Sequence, residues 1–71
     1  MDTKERNELI DKLEIEFVDK YGLADTLDLL AEICSGKADH LRSNWQDEQT
    51  GESWDNAAGA LLQTAHKLSY L

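Results

Sequence analysis

Proline is missing, cysteine occurs once and glycine four times in 71 residues. With Cys34 as the only cysteine, no internal disulfide can form. Basic residues are also scarce: 7 Lys and Arg stand against 15 Asp and Glu, for a formal net charge of −8. Binding to phosphate backbones or anionic membrane needs a basic patch, so no direct nucleic-acid or membrane binding is expected. No stretch approaches the roughly 18 consecutive apolar residues of a membrane span. The opening Met1-Asp2-Thr3-Lys4-Glu5-Arg6 leads into no apolar run, so no secretory signal is read. There is no N-glycosylation sequon, and a cytoplasmic location is the expectation.

Metal and cofactor signatures are lacking as well. Cys34, His40 and His66 are scattered without the paired spacing of a zinc site. No Glu-x-x-His pair occurs, which excludes the di-iron bundle signature. No cofactor is therefore expected. A single domain over residues 1–71 is near the low end for independent folding, and such chains usually need a staple. Disulfides and metals being excluded, very tight helix packing or self-association remains, and the expectation is a homodimer.

What is present is helical periodicity. Residues 3–20 place Leu9, Ile10, Leu13, Phe17, Val18 and Tyr21 on one half of a helical wheel. Asp2 or Thr3 fits the N-cap, Asp2-x-x-Glu5 has capping-box character, and Gly22 fits the glycine that ends a helix. Residues 24–47 carry the cleanest stripe: Leu23, Leu27, Leu30, Ala31, Cys34, Ala38, Leu41 and Trp45. It keeps phase through Ser35-Gly36, so one helix of about 36 Å is expected despite the glycine. After a loop over 47–51, residues 53–69 are expected to form a third helix capped by Ser53 or Thr50, with Trp54, Ala57, Ala58, Leu61, Ala65, Leu68 and Leu71 on its stripe.

The fold class is thus all-α: a small three-helix bundle or hairpin with a long central helix, completing its core as a homodimer. Short links at Gly22 and Gly51 favour antiparallel neighbours. The second helix outruns the first, so one of its ends should protrude. Trp45 and Trp54 flank the loop on core stripes and are expected to meet there.

Several constellations have a functional and a plainer reading. Asp25, Asp28, Glu32 and Asp39 share one sector of the second helix. They fit a solvated face, with Asp25 and Asp28 favoured by the helix dipole, or a mimic of phosphate spacing offered to a basic protein. As a metal cage they are poor, having no loop carbonyls. His40 follows Asp39 but has no Ser, Cys or Lys nucleophile placeable against it, and reads as a surface histidine. Cys34 lies among core neighbours and reads as a small hydrophobe. Arg42 and Trp45 belong to the chemically most varied segment, 41–47, where a recognition site is sought first. Ile15, Leu29 and Ile33 fall outside the stripes and form a candidate dimer interface.

These features point away from an enzyme. The expected function is a small acidic protein-interaction module, a bacterial or phage regulator or adaptor with a protein partner. The alternative is an acidic nucleic-acid mimic that inhibits a DNA- or RNA-binding protein. Asp25, Asp28, Glu32, Asp39, Arg42 and Trp45 are the candidate partner-binding residues.

Overall fold

The computed structural model describes all 71 residues and contains three helices and no strand. Helix α1 covers residues 3–21 in three joined pieces: α-helical Thr3–Leu13, a π-turn Glu14–Val18, and a last α-helical turn Asp19–Tyr21. Helix α2 is Leu23–Trp45 and helix α3 is Glu48–Lys67.

Local chemistry sets each boundary. Asp2 caps α1: its Oδ1 accepts the Glu5 backbone N–H at 2.7 Å. Gly22 ends α1 with φ of 90°, a region that L side chains rarely adopt. A Cβ there would also lie 2.6 Å from the Leu71 carbonyl oxygen. That same oxygen accepts the Leu23 N–H at 2.6 Å, satisfying a donor that the first turn of α2 cannot satisfy itself.

Helix α2 is continuous through Ser35-Gly36. It stops at Gln46, which adopts the left-handed conformation, and the Asp47 N–H then bonds back to the Leu41 carbonyl at 3.1 Å. The Gln46 N–H bonds to the same Leu41 carbonyl, a six-to-one bond of the kind that closes helix C-termini. Asp47 already caps α3, its Oδ1 accepting the Thr50 N–H at 3.1 Å. Gln46-Asp47 is therefore the whole link, and α3 begins at Glu48 rather than near Ser53. Gly51, expected in a loop, lies buried in the first turns of α3. The physical reason is phase: Gly51 falls one heptad before Ala58 and two before Ala65, on the same face.

The seam between α2 and α3 is made of small residues. Ala31, Cys34 and Ala38 of α2 are buried against Gly51, Ala58 and Ala65 of α3. The helices run antiparallel, Gly51 meeting Ala38 and Arg42 while Leu71 meets Gly22. A Cβ at Gly51 would lie 3.1 Å from the Arg42 Cγ and 3.4 Å from the Ala38 carbonyl oxygen. No large side chain is fully buried anywhere in the chain.

Helix α1 does not complete a closed bundle. No Cα of Thr3–Leu13 comes within 8 Å of a Cα in α2 or α3; only the π-turn and the last turn of α1 touch α2. Leu9, Ile10 and Leu13, expected in the core, are exposed, and the protruding element is α1 rather than an end of α2. The radius of gyration is 14.3 Å, against about 11 Å for a compact domain of this length. Nor do the two tryptophans close the loop end. Trp45 is 70% exposed, because the early start of α3 carries Trp54 down beside Lys37 and Leu41.

One substitution tests the seam and another the exposed face of α3. Ala38 is 0% exposed, so Ala38→Leu overpacks the closest approach and costs about 1–3 kcal/mol in urea unfolding. Gly59 has open space around a would-be Cβ, and Gly59→Ala gains up to about 1 kcal/mol from helix propensity.

Candidate functional site: an unpartnered arm, two grooves and an acidic face

The π-turn shapes the exposed side of α1. The Asp19 N–H bonds to the Glu14 carbonyl, so this turn holds one more residue than an α-turn. Everything after it is rotated back by about 100°. Phe17 and Val18 lie within this turn, and Tyr21 follows it. Leu9, Ile10 and Leu13 are exposed on the arm, and Phe17 and Tyr21 are exposed at the junction with α2.

At that junction lies an elbow groove of about 520 Å³, with Phe17, Tyr21 and Leu29 as its apolar walls and Asp25 and Asp28 on its rim. The Lys20 ammonium stands 5.6 Å from the Tyr21 ring centroid, within cation–π range. A second open groove, of about 460 Å³, lies between α2 and α3. Ile33, Leu41 and Trp54 give it apolar walls, Lys37 gives it a cationic edge, and His40 lines it as well.

The residues singled out from sequence fall into these features unevenly. Asp25, Asp28, Glu32 and Asp39 are all exposed and none forms an ion pair within the chain. Asp25 and Asp28 share the elbow groove; Glu32 and Asp39 line neither groove. Leu29 belongs to the elbow and Ile33 to the second groove, one helical turn apart, while Ile15 stands in the π-turn at 65% exposure. Phe17 and Tyr21 share a face in the 3.6-residue period, but their meeting with Leu29 depends on how α1 crosses α2, which has no sequence signal.

Arg42 is engaged inside the hairpin. Its Nε donates to Glu48 Oε1 at 2.8 Å and its Nη1 donates to Asp55 Oδ2. Its stem covers Gly51. Hydrogen bonds to Asp55 first, and to Glu48, hold the guanidinium pKa above its already high ordinary value. Arg42 thus ties α2 to α3, while Trp45, the other candidate in the 41–47 segment, is exposed.

The remaining polar chemistry is sparse. His40 Nδ1 lies 3.0 Å from Asn44 Nδ2, which also donates to the His40 carbonyl at 3.2 Å. Cys34 is buried on the seam, out of reach of an incoming substrate. No three His, Cys, Asp or Glu side chains converge to hold a metal ion. No helix is long and apolar enough to cross a membrane. Compared with known proteins, the chain matches no family model, no curated protein and no solved structure.

Asp47 supplies a pH handle. Its carboxylate pKa lies below the ordinary 3.8 because it accepts hydrogen bonds from Thr50, the backbone N–H first. A depressed folded-state pKa contributes stability above the unfolded value and loses it as pH falls through the folded one. Asp47→Asn keeps a capping oxygen that does not titrate. Its melting temperature should therefore fall less steeply below about pH 4 than that of the unsubstituted chain; parallel acid profiles would remove Asp47 from the acid response.

Proposed function

We propose that this chain is a non-catalytic helical interaction module that works by docking apolar helix faces, first of all with a second copy of itself. The observation that carries the reading is the arm: Thr3–Leu13 has an exposed apolar face, and none of its Cα atoms comes within 8 Å of either other helix. A helix held in water by nothing but its own turns is marginal at this length. A partner that covers Leu9, Ile10 and Leu13 supplies the tertiary contact that the rest of the chain does not. Regulator or adaptor work fits a module of this kind. The acidic surface, at −8 overall, favours basic partners and disfavours nucleic acid. A reducing compartment such as the cytoplasm suits a chain whose one cysteine stays a free thiol.

Sedimentation velocity over a concentration series tests this. Dimer formation at micromolar concentration, with loss of exposed apolar surface, is the expected result. A strict monomer that binds no hydrophobic dye would contradict the self-docking reading.

A second reading has one specific observation behind it. The four carboxylates of α2 are exposed and unpaired, as a mimic of nucleic-acid phosphates requires. On that reading, replacing Asp25, Asp28, Glu32 and Asp39 by Asn or Gln abolishes binding to the basic target and flattens its salt dependence. Binding that survives the four replacements rules the mimic out.

A further inference from the structure

We infer that the groove between α2 and α3 binds a small aromatic carboxylate, a flat apolar body carrying one negative charge. The site does not depend on how the chain associates. Gly36 is the first observation behind it. It lies in the interior of α2, where glycine is less stable than alanine. The fold does not need it there, since a Cβ at Gly36 would meet no atom within 4 Å. At Gly22 and Gly51 a Cβ would instead press on the Leu71 carbonyl oxygen or the Arg42 stem. Gly59 has open surroundings too, but it lines neither this groove nor the elbow. Gly36 lines the groove, and it leaves bare backbone on which a flat ring can lie.

The polar lining selects the charge. Lys37, His40 and Thr50 all carry donors, and no carboxylate lines the groove, although the chain holds 15 Asp and Glu. Lys37 forms no ion pair within the chain. Its neighbours three and four residues away are Ile33, Cys34, His40 and Leu41, so no acid of its own helix face competes for it. Asn44 sets the His40 tautomer. Its Nδ2 donates to the His40 carbonyl at 3.2 Å and lies 3.0 Å from Nδ1. Nδ1 therefore accepts, and the neutral ring carries its hydrogen on Nε2 as a free donor. The carboxylate pairs with Lys37 and takes the Nε2–H, while the ring lies over Gly36 against Trp54. Two other places fail this test. The elbow has acids on its rim, and the patch at His66 and Lys67 has Leu62 as its one apolar residue. Size selects a small molecule. About 460 Å³ lies within the usual ligand range of roughly 300–1,000 Å³. The α2 wall from Ile33 to Leu41 is about 12 Å long, too short for a standard protein interface of about 800 Å² per partner. A polyacidic partner would also meet repulsion from a chain of net charge −8, which a single carboxylate beside Lys37 largely escapes.

Titration of the isotope-labelled full chain with naphthoate, followed through its amide NMR shifts, tests the site. Saturable shifts at residues 33–41 and 50–54 are expected, with a Kd of roughly a millimolar or below. Naphthamide, the uncharged analogue, should bind about fivefold more weakly. Lys37→Gln should bring naphthoate to the level of naphthamide. Gly36→Ala should weaken naphthoate about tenfold while raising the Tm by up to about 5 °C. Gly59→Ala should raise the Tm and leave the affinity unchanged. Lost affinity together with gained stability is a result that misfolding does not produce. Shifts spread evenly over the chain, naphthamide binding as tightly as naphthoate, or full affinity in Gly36→Ala each overturns the site. A groove that ignores naphthoate and responds only to an acidic amphipathic peptide overturns it as well, and makes the groove a protein-docking surface.

Discussion

Two helices approach to near backbone contact only where neither carries bulk, and the α2–α3 seam meets that condition along its whole length. Ala31, Cys34 and Ala38 face Gly51, Ala58 and Ala65, with the tightest point where Gly51 lies under the Arg42 stem. Close approach brings dispersion contacts and lets Arg42 span the interface to Glu48 and Asp55. It also limits how much apolar volume the hairpin encloses. A fully buried leucine contributes about 2 kcal/mol, and this chain fully buries none. The larger apolar residues are left at the margins of the seam or beyond it, on α1 and on the outer side of α2.

Helix α1 approaches α2 only at its C-terminal end, by the π-turn and the turn before Gly22. The π-turn Glu14–Val18 and the turn after it carry Phe17 and Tyr21 to the elbow, while Leu9, Ile10 and Leu13 stay exposed on the arm. An exposed apolar face with nothing on it is a surface for association. In such a chain folding and assembly share the same contacts, and stability depends on protomer concentration.

Much of this was legible in the sequence, for identifiable reasons. The continuity of α2 through Gly36 could be read because its stripe never loses phase. Asp2 and Gly22 could be read because capping and left-handed φ each demand particular residue types. The start of α3 was misplaced because Gly51 in a polar stretch looks like a loop, although its spacing to Ala58 and Ala65 placed it on the seam. Trp45 was put in the core by periodicity alone, and the tight Gln46-Asp47 link leaves it outside. The elbow was not legible: Phe17 and Tyr21 share a helical face, but they meet Leu29 through the crossing of α1 and α2, which has no periodic signature. The acidic sector was legible as a line on one face, but its division between the elbow and open solvent was not.

The most direct test of the account is amide hydrogen exchange measured residue by residue at several protein concentrations. The seam amides of α2 and α3 should be the most protected at every concentration, while those of Thr3–Leu13 should exchange almost freely when dilute and gain protection as concentration rises. Arm amides as protected as the seam at high dilution would contradict the account, since they would show that the arm is held within its own chain.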